Sequence, residues 1–189
     1  AEADDTMLAD AASHPEEWLT HGLNYAEDRY SLLTQVNKEN AGSLGLAWIT
    51  DLDSKRGLEA TPLIADGLMY LTGVWSRVYA LDAATGKMIW EYDPKVPPAN
   101  AERLCCDIVN RGVALYKGRI FSGTLDGRLI ALDAKTGKLS WETMTVDTTK
   151  PYSITGAPRV VDGKIIIGNG GAEFGVRGYI SAYDPENGE

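Results

Sequence analysis

No apolar run in this chain approaches the eighteen or more residues that cross a bilayer as a helix, and no amphipathic helical stretch of three or four turns is evident. Basic clusters are missing too: 18 Lys and Arg stand against 27 Asp and Glu, a formal charge of −9. That balance argues against nucleic acid, whose phosphates demand clustered cations, and against an anionic membrane surface. The acidic start Ala1-Glu2-Ala3-Asp4-Asp5 lacks the basic region of a signal peptide, so if the protein is exported, this is its mature form. Histidine is limited to His14 and His21, outside any ligand spacing, and both read as exposed loop residues. Cysteine is limited to the neighbours Cys105 and Cys106, from which no zinc constellation and no Cys-x-x-Cys-His haem signature can be made.

Glycine is plentiful, 20 residues with 8 prolines spaced between short apolar runs, which points to an all-β chain rich in turns. The segment "ALDAATGKMIWEYD" from Ala80 to Asp93 recurs 51 residues on as "ALDAKTGKLSWETM" from Ala131 to Met144. A third copy, "AYDPENGE", begins 51 residues further at Ala182. Each period holds four strands; in the second they are expected over Val109 to Tyr116, Arg119 to Gly123, Arg128 to Asp133 and Lys138 to Thr143. A four-stranded antiparallel unit cannot bury its two faces alone, so its neighbours must stack on them. Radial stacking gives a β-propeller of four-stranded blades with tryptophan repeats, about three of them here, and β-solenoid repeats are much shorter than 51 residues. Trp90 and Trp141 are expected on equivalent outer strands, wedged between blades, with Trp48 in the same role one unit earlier.

Residues 1–45 fall outside the repeat and read as a closing or covering segment of short helical turns and loops, with Pro15 near a helix start and Asn37 as a cap. Residues 46–189 form the partial propeller. Three places break the repeat. Cys105-Cys106 is followed by Arg111; adjacent cysteines form either a strained ring disulfide, whose flat sulfur surface suits a planar ligand, or two free thiols on a buried strand. Arg111 taken singly reads as a surface ion pair. In "GNGGAEFGVRG", Gly168, Gly170, Gly171 and Gly175 allow close backbone approach around Glu173, a carboxylate suited to a hard cation or simply exposed on a loop. Glu59 precedes the first full blade.

Together, "GLNYAEDRYSLLTQVNKENAGSLGLAW", "CCDIVNRG" and "SITGAPRVVDGKIIIGNGGAEFGVRGYISAYD" resemble the pyrroloquinoline quinone (PQQ)-dependent alcohol dehydrogenases, most of all the quinohaemoprotein type. The resemblance covers the whole chain and implies an eight-bladed propeller in a periplasmic enzyme that oxidises alcohols to aldehydes. It implies that Cys105 and Cys106 form a disulfide against one face of PQQ and that Arg111 bonds the quinone oxygens. Glu59 and Thr155 would contact polar groups at the cofactor's edge, and Gly171 and Ala172 its carboxylates. Glu173 would ligate Ca²⁺, which polarises the quinone as a Lewis acid while an Asp base beyond residue 189 takes the alcohol proton. Electrons would pass to a c-type cytochrome or to haem c in a further domain. Gly170 stands where methanol-oxidising relatives often have Ser, which removes one side-chain hydrogen bond to PQQ and fits the broader alcohol branch better. Two other functions compete: a non-catalytic periplasmic scaffold, which has no use for the cysteine pair, and a PQQ sugar dehydrogenase.

Overall fold

The computed structural model describes residues 3–189. Its strands fall into three antiparallel sheets that follow the repeat. The first is β1 (Leu63–Ala65), β2 (Leu68–Thr72), β3 (Val78–Asp82) and β4 (Met88–Tyr92), paired in chain order. The second is β5 (Ala114–Tyr116), β6 (Arg119–Gly123), β7 (Arg128–Asp133) and β8 (Leu139–Met144), paired likewise. The third holds β9 (Arg159–Val161), β10 (Lys164–Gly168) and β11 (Ile180–Tyr183).

The two complete sheets share one register. Ala80 lies opposite Trp90 and Ala131 opposite Trp141, and in both the register shifts at the next residue. The connecting turns are also copies: Asp82 Oδ1 accepts hydrogen bonds from the backbone N–H and hydroxyl of Thr85, and Asp133 Oδ1 does the same for Thr136. These turn bonds hold both carboxyls below the usual range.

The tryptophans join sheet to sheet. Trp90 Nε1 donates to Ala134 O at 3.0 Å and Trp141 Nε1 to Pro185 O at 3.1 Å, each reaching into the next unit. Trp48 Nε1 donates to Ala83 O at 3.2 Å, so it docks as the later two do although no strand forms around it. Each indole covers a turn glycine at positive φ. A Cβ on Gly137 would stand 2.6 Å from the Trp90 ring, and one on Gly188 would stand 2.8 Å from Trp141. In the core that the sheets share, Tyr70, Phe121, Ile130 and Leu132 are fully buried, each contributing about 1.5–3 kcal/mol by leaving water. Burial pushes the Tyr70 phenol up to about 12.

Three expectations need correction. The first strand of the second sheet starts at Ala114, not Val109, because the backbone before it is bonded across units. Trp75 N donates to Ile108 O, Arg111 N to Thr155 O, and Thr61 N to Arg111 O. Pro15 starts no helix; the short helix α1 spans Asp5–Ala9 and is capped by Asp4, whose carboxylate accepts from Met7 N. Asn37, by contrast, caps a helical turn as expected: its Oδ1 accepts from Glu39 N and its carbonyl from Ala41 N, ahead of a single 3₁₀ turn at Ala41–Ser43. His14 and His21 are half-buried rather than exposed, because the segment around them packs on the blades. Trp18 pairs with Ile64 of β1, Leu8 and Leu19 enter the core, and Tyr116 hydroxyl donates to Asp5 at 2.7 Å.

Candidate cofactor site

Glu59, Arg111 and Thr155 each precede the first strand of a sheet, so the repeat brings them to one end of adjacent strands. They are in direct contact. Arg111 Nη2 lies 2.9 Å from Glu59 Oε2, and Arg111 Nη1 donates to the Thr155 hydroxyl at 2.8 Å. Gly112 has φ +128 and sits against Thr61 O, where a Cβ would approach to 3.1 Å; the missing side chain lets the arginine's backbone close on the neighbouring unit.

Beneath the arginine is Asn110, fully buried and saturated. Its Oδ1 accepts from the Thr72 hydroxyl and Gly112 N, while its Nδ2 donates to Gly123 O and Ser76 Oγ. A buried amide with all these bonds fixes the loop around it. Only its place in an apolar stretch, Ile108-Val109-Asn110, signals this role in the sequence.

Cys105 and Cys106 are bonded to each other, and both are exposed in the loop that leads to Arg111. Of the two readings open from sequence, the ring disulfide holds, and the pair of thiols on a buried strand does not. Asp107, at φ +75, pairs with Arg56 and accepts from Ile108 N, and the Arg56 guanidinium holds its carboxyl below the usual range. Arg56 belongs to the loop that carries Glu59, so this ion pair ties the two loops together. Neither Arg56 nor Asp107 stands out in the sequence, since the pairing is between residues 51 positions apart.

The glycine-rich loop approaches from the third sheet. Gly170 and Ser153 form an isolated bridge, Gly170 N donating to Ser153 O at 2.7 Å, which ties the loop to the residues leading into Thr155. A Cβ on Gly170 would meet Ser153 Oγ at 3.0 Å. Gly171 has φ +109 and sits so close to Pro151 O that a Cβ would stand 2.3 Å away. Ala172 and Glu173 follow in a single turn of 3₁₀ helix and are exposed. A depression of about 290 Å³ between Thr155, Ala157, Asn169 and Gly170 joins the two loops.

This end of the sheets offers a cation with a carboxylate and hydroxyl beside it, an exposed sulfur surface, and backbone freed of side chains. Those features fit a flat ligand carrying carbonyl and carboxylate oxygens. For a hard cation the offer is thinner. Glu173 is a lone carboxylate, and among the described residues no group of three His, Cys, Asp or Glu could hold a metal ion.

The family described as "PQQ: Glucose/ethanol/alcohol dehydrogenase, beta-propeller domain" matches residues 18–189. The chain belongs to this PQQ β-propeller family. Among its relatives, the quinohemoprotein alcohol dehydrogenase ADH IIB of Pseudomonas putida is 63% identical over 92% of the chain. The 1-butanol dehydrogenase (cytochrome c) of Thauera butanivorans is 60% identical over 89% of it. The solved structure of quinohemoprotein alcohol dehydrogenase ADHIIG from Pseudomonas putida superposes over the whole chain with a TM-score of 0.98 and 54% identity, and the chain covers 28% of it. The chain spans about a quarter of the length of the curated relatives it matches.

Proposed function

We propose that this chain is a segment of a PQQ-dependent alcohol dehydrogenase and carries one side of its cofactor site. The observation that carries the reading is the joined Glu59–Arg111–Thr155 cluster with a vicinal disulfide on the loop leading to it. A scaffold propeller has no need of either. The cofactor, when bound, supplies the two-electron acceptor for oxidation of an alcohol to an aldehyde.

Arg111 orients and charge-stabilises the quinone oxygens, held at the right angle by Glu59 on one nitrogen and Thr155 on another. The Cys105–Cys106 sulfurs form a rigid wall for one face of the ring. Glu59 and Thr155 reach its polar edge, and the side-chain-free backbone at Gly170, Gly171 and Ala172 admits its carboxylates. Glu173 contributes one ligand to Ca²⁺, whose remaining donors, like the Asp base, belong to the part of the enzyme outside these residues. The bonded cysteines favour an oxidising compartment, hence the periplasm. The names of the relatives favour a c-type cytochrome or a haem domain as electron acceptor.

Purified full-length apoprotein mixed with PQQ, Ca²⁺, a primary alcohol and an artificial electron acceptor tests the proposal. Steady acceptor reduction is expected with alcohol. Turnover with glucose in place of alcohol would favour the sugar branch, and absence of PQQ binding would return the chain to the scaffold reading.

A further inference from the structure

The connection from β2 to β3 departs from the repeat. At the place of Ser76 the other two units carry glycine, Gly127 and Gly178, and at the place of Trp75 the second unit carries Asp126. Arg77 N donates to Val74 O, closing a turn whose two central residues, Trp75 and Ser76, both lie in the left-handed region at φ +59 and +58. Asn-Gly or Asp-Gly fills such a turn easily, whereas an indole and a hydroxymethyl group meet the steric cost of a left-handed backbone. Strain of this kind persists only where the surroundings over-determine it, and it gathers at functional sites.

The partners of the two residues lie along the approach to Arg111. Trp75 N donates to Ile108 O at 3.0 Å, two residues past the disulfide. Trp75 also packs, with Val74 and Leu104, on the cluster of Val96, Ile108 and Leu125. Leu104 and Ile108 flank the segment from Cys105 to Asp107, so the exposed disulfide stands on a short span anchored at both ends in this cluster. Ser76 is fully buried, and its hydroxyl oxygen accepts from Asn110 Nδ2 at 3.3 Å and from Leu125 N at 3.1 Å. A glycine here would relax the backbone but remove both bonds, one of them to the amide beneath Arg111. The fold does not demand the exchange of Gly for Ser, since the second unit forms the same hairpin register with Asp126 and Gly127. What the first unit gains is contact with the disulfide span and with Asn110, both parts of the site.

Resting on the PQQ reading above, we propose that Trp75 and Ser76 are positioning residues for the cofactor site: Trp75 braces the span that carries the Cys105–Cys106 disulfide, and Ser76 fixes Asn110 beneath Arg111. Full-length apoprotein tests the brace without any ligand, by hydrogen exchange. In Ser76→Gly and Trp75→Asn, exchange over residues 104–111 is expected to quicken about tenfold while β9 and β10 keep their rates. PQQ is expected to leave the two reconstituted variants about tenfold faster than the unaltered enzyme. Trp75→Phe, which keeps a ring on the cluster, is expected to recover most of the difference. Gly137→Ala, in the Trp90 dock and outside the site, serves as the destabilised control and is expected to release PQQ at the ordinary rate. Should Trp75→Asn fail to fold, Ser76→Gly still decides, because glycine suits the left-handed backbone. Exchange unchanged over 104–111, exchange quickened equally in every sheet, or PQQ release as fast in Gly137→Ala overturns the positioning role. Failure of the unaltered protein to bind PQQ overturns the PQQ reading itself and the positioning role with it, a result separate from the exchange rates.

Discussion

Arg111 Nη2 stands 2.9 Å from Glu59 Oε2, joining the approaches to the first two sheets at a point where both side chains remain partly open to solvent. An ion pair so exposed contributes about 1 kcal/mol or less to folding. Its weight lies elsewhere, in leaving the guanidinium fixed for a ligand. Arg111→Ala is therefore expected to shift the urea midpoint of the full-length protein little while weakening PQQ retention about tenfold or more, the size of one charge-assisted hydrogen bond. Arg111→Lys, with charge but no planar fork, is expected to fall between. Bound PQQ measured by absorbance after gel filtration checks this; full retention in Arg111→Ala removes the residue from the site.

Gly137 carries the Trp90 indole on its open face at φ +69, and a Cβ would penetrate the ring to 2.6 Å. Gly137→Ala adds backbone strain to overpacking and is expected to cost about 2–4 kcal/mol in urea unfolding of the full-length protein. Gly45→Ala, with nothing near its Cβ, is the control and is expected to be close to neutral. Equal midpoints for the two variants would deny the docking any energetic role.

What the sequence made legible follows from range. The blade repeat was readable because Ala80 to Asp93 folds on itself: Ala80 meets Trp90, and Asp82 meets Thr85, within a dozen residues. The tryptophan docking was readable for the same reason, since its acceptors recur with the turn. Early residues of the site were harder. Val109 and its apolar neighbours look like a strand, but Asn110 and Arg111 spend their backbone and side-chain bonds on Ser76, Thr72 and Thr155 in other units. No local pattern announces that. The burial of His21 is hidden for a like cause: it is a loop residue in sequence, and it lies in the segment that Trp18 ties to Ile64, more than forty residues away.

Asp133 accepts three hydrogen bonds from Lys135 and Thr136, which hold its carboxyl below the ordinary range. A carboxyl depressed on folding adds stability that is present above its unfolded value, about 3.9, and lost as pH falls through the lower folded one. Full-length protein is therefore expected to lose stability as pH drops below about 4. Asp133→Asn, which keeps acceptor geometry without the titration, is expected to be less stable at pH 7 and to show a flatter decline in acid. Parallel curves of urea midpoint against pH for the two proteins would rule this out.

Glu173 sits on one turn of 3₁₀ helix behind Gly171 and, among the described residues, carries no ion pair. A carboxylate with no protein partner contributes little to stability, and loss of its charge weakens the pull on a divalent ion. Glu173→Gln is expected to leave the urea midpoint of the apoprotein within about 0.5 kcal/mol while raising the Ca²⁺ concentration needed for half-maximal alcohol oxidation. Unchanged Ca²⁺ dependence would take the residue out of the metal site.

Residues 1–189 produced alone are expected neither to retain PQQ nor to oxidise alcohols. Trp48 docks on Gly86 as an outer-strand tryptophan does, yet Leu46 and Ile49 beside it are 82% and 79% exposed, with no sheet of their own to cover them. Ile180 in β11, at the other end of the array, is 78% exposed. Blades are buried by their neighbours, so this open arc leaves apolar faces in water and is expected to aggregate or bind hydrophobic dye. Chemistry fails for a separate reason. Under the proposed roles, Arg111, Glu59, the disulfide and one carboxylate orient the cofactor from one side only, while the base for the alcohol proton and the wall for the other face come from the rest of the enzyme, and bond-making needs both partners held in line. Fragment incubated with PQQ, Ca²⁺, a primary alcohol and an artificial acceptor gives the answer: sustained turnover would place the catalytic base within these residues and overturn the assignment of roles.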